Sequence, residues 1–114
     1  MVLDYIGYCT MDRELLRLRQ KYPKKIPVLC QRDLRCNDIP ELFKKKFLVP
    51  KDMQVSEFLF YIRRRMSLPA FKSVFMFVNN TLPSLNHTMG LLYEEYGSQD
   101  GYLYMFYATE QTFG

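Results

Sequence analysis

The chain has 114 residues, 48% apolar and 25% charged, enough for one globular domain and too few for two. No apolar run approaches the ~20 residues of a transmembrane helix. The first ten residues lack a basic n-region and are broken by Asp4 and Gly7, which speaks against a secretory signal. The net charge of +4 suits acidic partners without choosing among nucleic acid, anionic lipid and acidic peptide.

Residues 1–10 are mildly apolar, and 1–12 read as an N-terminal extension. Over 13–21, Leu15, Leu16 and Leu18 alternate with Arg and Gln, which predicts a short helix stopped at Tyr22-Pro23. Residues 26–32, rich in Ile, Val and Leu, predict a strand; 33–41, with Asn37, Asp38 and Pro40, predict a loop. A second strand is expected at 46–49, ended by Pro50. Proline lacks a ladder donor and favours a strand end or a sheet edge, and the lysines just before it also suit an exposed edge. The clearest helix is 52–67, where Val55, Phe58, Leu59, Ile62 and Met66 recur at three- and four-residue steps. Ser56, Glu57 and Arg63 to Arg65 supply its polar face. A strand follows at 73–78, then a turn at Asn79-Asn80, a shorter helix at 88–96, a last strand at 102–107, and a polar tail with Phe113 near its tip.

This order predicts an α+β fold, with one mixed sheet and a helix across one face. The pattern fits the ubiquitin-like grasp and also other small α+β folds. There is no internal repeat, low-complexity tract or interdomain linker.

The stretches KYPKKIPV (21–28), KKKFLVP (44–50), FYIRRRM (60–66), FMFVNNTLP (75–83), MGLLYEEY (89–96), DGYLYMFYA (100–108) and TFG (112–114) narrow the choice. In this order and spacing they resemble the autophagy-related ubiquitin-like modifiers. That family includes the gamma-aminobutyrate receptor-associated protein and the microtubule-associated light chain three proteins. The resemblance implies a ubiquitin-like β-grasp with a four-stranded mixed sheet, a central helix and at least one N-terminal helix. It divides the chain into an extension (1–12), a ubiquitin-like domain with its N-terminal helix (13–108) and a conjugation tail (109–114). It does not extend to 1–12, where family members carry the first of two N-terminal helices, and it is loose between Cys30 and Phe43.

The resemblance also implies a function. Gly114 would be joined to phosphatidylethanolamine by activating-like and conjugating-like enzymes and released by a deconjugating cysteine protease, with no trimming needed before activation. Glycine suits such a tail because a chain without a side chain threads a narrow enzyme cleft. Two acyl chains anchor a protein stably where one is marginal. Phe113, Phe75 and Phe77 would help these enzymes recognise the tail; core packing is the competing expectation for Phe75 and Phe77. The strand of KKKFLVP would accept peptides by β-augmentation, their motif an aromatic residue with an aliphatic one three positions on, often preceded by acids. The aromatic pocket maps to Glu14, Leu18, Pro27, Lys46, Leu48 and Tyr102. The aliphatic pocket maps to Phe47, Val49, Pro50, Met53, Phe58, Tyr61 and Ile62, with plain core packing as the competing expectation for Leu48, Phe58 and Ile62. Lys25, Lys44 and Arg65, together with Lys46, would meet the peptide's acids. Expected partners are those enzymes, a phosphatidylethanolamine membrane and cargo receptors. The expected location is cytoplasmic when free, and an autophagosomal or other organelle membrane when lipidated.

Other chemistry is not expected. The one histidine, His87, lies in a turn between Asn86 and Thr88 without a catalytic partner, and Glu94-Glu95 reads as a solvated helix face. There is no phosphate-binding glycine loop. The odd count of cysteines, Cys9, Cys30 and Cys36, without CxxC spacing, argues against a disulfide framework or a zinc site and for a reducing compartment. No cofactor, metal or catalytic residue is therefore expected. Nucleic acid is not expected either, because no set of exposed aromatics is interleaved with the basic residues. The alternative reading is an unconjugated adaptor that uses the peptide groove alone.

Overall fold

The computed structural model describes residues 3–5, 17, 19–42 and 45–110. Residues 17 and 19–21 are helical, within the expected N-terminal helix. After them come β2 (Lys25–Arg32), β3 (Lys46–Pro50), helix α1 (Val55–Met66), β4 (Val74–Val78), helix α2 (Met89–Tyr96) and β5 (Leu103–Thr109). A further strand, β1 (Leu3–Tyr5), precedes them all. The sheet order is β1-β3-β2-β5-β4.

At the sheet centre β2 and β5 run parallel, with Val28 opposite Leu103 and Cys30 opposite Met105. β3 pairs antiparallel with β2, and β4 antiparallel with β5. These four strands form the mixed sheet of the ubiquitin-like fold, with α1 across one face, and β1 extends it to five. Each of the four strands alternates or runs apolar as expected, because a residue pair separated by two positions shares a face.

Helix α1 begins at Val55, later than its period suggests, because Gln54 is its N-cap and its backbone N–H donates to Glu57 Oε1 at 3.0 Å. It ends where Ser67 enters the left-handed region at φ 54°. Arg63, Arg64 and Arg65 occupy its last turn, where positive charge complements the helix dipole. Its Val55, Phe58, Ile62 and Met66 pack with Ile26, Val28, Phe47, Val49, Leu103 and Met105 in one apolar cluster.

Thr88 caps α2 by accepting the Leu91 N–H at 3.2 Å. Gly90 brings this helix onto the β3–α1 connection: its N–H donates to the Lys51 carbonyl at 2.9 Å, and a Cβ there would lie 2.9 Å from the same oxygen. Asn79 and Asn80 turn the chain after β4 with φ of 52° and 61°, a pair of left-handed residues that asparagine tolerates.

One strand was not foreseen and one expectation is corrected. Three residues of the extension 1–12 form β1. A three-residue strand has no period of its own, and its partner lies far away in sequence, so nothing local announces it. β3 was expected at an exposed sheet edge on the strength of Pro50 and the lysines. It is an inner strand, paired with β2 on one side and β1 on the other.

Candidate functional site

The site is built around β3, whose residues alternate between the two sides of the sheet. On the side facing α1, Phe47 and Val49 are fully buried in the core cluster with Phe58 and Ile62. The Phe47 ring meets Phe58 edge-on at 5.9 Å and Tyr61 at 6.0 Å, and Phe58 stacks on Tyr61 at 6.5 Å. Of the residues assigned to the aliphatic pocket, then, Phe47, Val49, Phe58 and Ile62 are core, while Pro50, Met53 and Tyr61 are half-buried. Those three are the surface a ligand side chain can reach. Arg65 stands over the Tyr61 ring at 5.8 Å, and its guanidinium donates to the Tyr61 hydroxyl at 3.3 Å.

On the other side, Leu48 faces Pro27 across the β2–β3 pair. The Lys46 ammonium lies 5.9 Å from the centre of the Tyr102 ring. Pro27, Leu48 and Tyr102 are buried and Lys46 half-buried, so four of the residues assigned to the aromatic pocket come together. Leu48 and Tyr102 stand apart from the core cluster beneath α1.

The turn before β5 fixes Tyr102: Asp100 accepts its N–H at 3.0 Å and also the Tyr104 hydroxyl. Burial works against ionised Asp100, but those hydrogen bonds outweigh it and hold the carboxyl below its usual range. The same contact pushes Tyr104 up to about 12. Lys25 sits opposite Pro50 at the far end of β3, its ammonium 5.3 Å from the Tyr22 ring centre. Glu14, Leu18, Lys44, Phe113 and Gly114 lie outside the described residues.

At the base of the tail, the Thr109 hydroxyl donates to Asp38 Oδ1 at 2.6 Å, and Lys72 Nζ lies 2.9 Å from Asp38 Oδ2. The Thr109 hydrogen bond, then the Lys72 ammonium, holds the Asp38 carboxyl at about 2. Asp38, Lys72 and Thr109 also line a cavity of about 200 Å³ with Phe71, Ser73 and Glu110. None of these three was singled out from sequence, since residues so far apart along the chain carry no joint signal. Tyr107 pins the same loop: its hydroxyl donates to the Pro40 carbonyl at 3.0 Å and accepts the Leu42 N–H at 2.9 Å.

Phe75 and Phe77 share one side of β4, as alternation requires. They stand opposite Ala108 and Phe106, half-exposed among the buried Val74, Met76 and Val78.

A model of the family described as "Autophagy protein Atg8 ubiquitin like" matches residues 11–114. The chain belongs to the Atg8 family. It is 46% identical over 101 residues to autophagy-related protein 8 of Mycosarcoma maydis, covering 89% of this chain and 85% of that one. It is also 46% identical over 101 residues to autophagy-related protein 8c of Arabidopsis thaliana, covering 89% and 84%. Among solved structures, Trypanosoma brucei ATG8 is similar with a TM-score of 0.84 and 33% identity, over 96% of this chain and 93% of that one. Plasmodium falciparum Atg8, in complex with a Plasmodium falciparum Atg3 peptide, gives a TM-score of 0.76 and 35% identity over 91% and 94%.

As an Atg8-family member the chain is an autophagy-related ubiquitin-like protein. The family match begins at residue 11, so β1 precedes it. Among the described residues, no group of three or more His, Cys, Asp or Glu is placed to hold a metal ion, and no helix is long and apolar enough to cross a membrane. His87 is exposed in its turn, where its carbonyl accepts the Val55 N–H at 2.9 Å. Cys30 and Cys36 are free and buried, and burial pushes the Cys30 thiol far up, away from the reactive thiolate.

Proposed function

We propose that this Atg8-family protein is conjugated through Gly114 to phosphatidylethanolamine, and that it recruits cargo receptors and its own conjugating enzyme through the surface around β3. The observation that carries the proposal is the family match, which runs to Gly114 and takes in both TFG and KKKFLVP. In the conjugation, the activated Gly114 carboxyl passes as a thioester to the enzymes. The lipid amine then displaces the thiol, and an amide bond forms. β5 delivers the chain to the start of the tail, and the hydrogen bond from Thr109 to Asp38 ties down its last residue.

The gathering of Lys46, Leu48, Pro27 and Tyr102 on one side of the sheet supports the groove, as does the accessible rim of Pro50, Met53 and Tyr61. The relative from Plasmodium falciparum holds a peptide, which supports a peptide-binding role here. Lys25, Lys46 and Arg65 flank the groove and suit acidic residues ahead of the aromatic one.

Mass spectrometry of the C-terminal peptide from membrane-bound protein tests the conjugation. The expected result is a Gly114–phosphatidylethanolamine adduct, lost in Gly114→Ala while peptide binding is retained. A free Gly114 carboxylate while autophagic membranes form, or an adduct that survives the substitution, sinks it.

A further inference from the structure

The groove proposed above needs a free row of backbone groups along β3. One edge of β3 is paired with β2 over the full length of the strand, from Lys46 opposite Leu29 to Pro50 opposite Lys25. The other edge is taken by β1, antiparallel, with Leu3 opposite Leu48, Asp4 opposite Phe47 and Tyr5 opposite Lys46. A strand has two edges and no third, so an added peptide strand and β1 require the same N–H and C=O groups.

A second observation concerns the side chains on that side of the sheet. Leu48 and Tyr102 are each only 1% exposed in the chain by itself. The aromatic half of the groove is therefore closed by the chain's own atoms before any ligand arrives.

A third is compositional. Asp4-Tyr5 places an acid directly before an aromatic residue, the start of the peptide chemistry the groove is read to accept. The position three after Tyr5 is Tyr8, not an aliphatic residue, so the second anchor is missing. β1 also lies ahead of residue 11, where the family match begins.

We infer that residues 3–5 act as a built-in strand ligand that occupies the β3 edge and must leave before a peptide can pair there. The inference rests on the groove reading above. It makes the site a competitive one, with the observed affinity equal to the intrinsic affinity multiplied by the fraction of molecules whose edge is open. A strap of three residues makes few backbone hydrogen bonds and can be displaced. If it is closed in roughly nine molecules of ten, peptides bind about tenfold more weakly than to the open edge.

The test titrates the full chain with a synthetic peptide of two acidic residues followed by Trp-x-x-Leu, by calorimetry. It is repeated with the double variant Leu3→Pro, Asp4→Pro. Adjacent prolines remove the N–H donors from both alternating sets, whichever one faces β3. The expected result is binding about tenfold tighter in the variant, with an unchanged circular dichroism spectrum. Equal or weaker binding in the variant overturns the competition and leaves the groove standing. No binding to either protein overturns the groove reading and the competition with it.

A second measurement needs no variant and stands even where the prolines disturb folding. Amide hydrogen exchange at residues 3–5 of the unmodified chain should be protected when free, and about tenfold faster when saturated with peptide. Protection unchanged by bound peptide overturns the inference.

Discussion

On the α1 side of the sheet, Phe47 and Val49 belong to a continuous apolar cluster with Phe58, Ile62 and the strands β2 and β5. On the opposite side, Leu48 is as deeply buried as they are, yet it sits outside that cluster, between Pro27 of β2 and Leu3 of β1. Adjacent residues of one short strand thus meet two kinds of burial. One is sealed by the fold's main helix; the other lies on the face away from that helix, where the peptide groove is proposed. The difference teaches that depth of burial alone does not separate core from the proposed groove, whereas the side of the sheet does.

The largest effect expected from this contrast is on the sealed side. Phe58→Ala removes a ring that contacts both Phe47 and Tyr61 and should destabilise the protein by about 3–5 kcal/mol. Urea denaturation measures this directly. A cost near that of an exposed residue, within ~0.5 kcal/mol, would mean that α1 does not seal the cluster.

Leu48→Ala tests the other side. Its stability cost should fall at the low end for a buried leucine, about 2 kcal/mol, because it lies outside the main cluster under α1. Its peptide affinity should drop by about tenfold, the equivalent of ~1.4 kcal/mol. If Leu48→Ala proves as destabilising as Phe58→Ala while the folded fraction binds peptide normally, the two sides are one core and the comparison collapses.

Much of this contrast was legible in the sequence. The three- and four-residue recurrence of Val55, Phe58, Ile62 and Met66 gave away the sealing helix, and alternation placed Phe75 and Phe77 together. Helix α1 began later than its period suggested because capping at Gln54, a local hydrogen-bond choice, decides the boundary. Periodicity could not tell pocket from core at Leu48, Phe58 and Ile62, since both call for apolar residues; only the side of the sheet tells them apart. β1 left no mark at all, and neither did the Asp38–Thr109–Lys72 contact, because both depend on pairings between distant segments.

That contact gives the contrast a pH test, for Thr109 is a polar residue buried on the α1 side, at its rim. The folded Asp38 carboxyl is held at about 2, by Thr109 first and Lys72 second, against an unfolded value near ~3.9. A carboxyl depressed by folding stabilises the protein at pH above its unfolded value, and this contribution is lost as pH falls through the folded value. Stability should therefore decline between about pH 4 and pH 2, and Asp38→Asn should flatten that decline. Urea midpoints taken across this window decide it. An identical slope in the variant would show that other carboxylates, such as Asp33 and Asp100, whose folded values are also lowered, carry the whole acid response.

The smallest effect belongs to the charged rim of the proposed groove. Lys46 is half-buried, with its ammonium near the Tyr102 ring, and it stands opposite Tyr5 of β1. Lys46→Ala should weaken binding of an acidic peptide by no more than ~1 kcal/mol, about fivefold, as expected of an ion pair open to solvent. The loss should shrink as salt is raised, because the screening length falls from ~10 Å at 0.1 M to ~3 Å at 1 M. A loss that stays constant across that range would mean that the lysine contributes through its contact with the Tyr102 ring instead of its charge. Lys46 would then belong with Leu48 as part of the wall of the aromatic pocket, and the steering of acidic peptides would fall to Lys25 and Arg65.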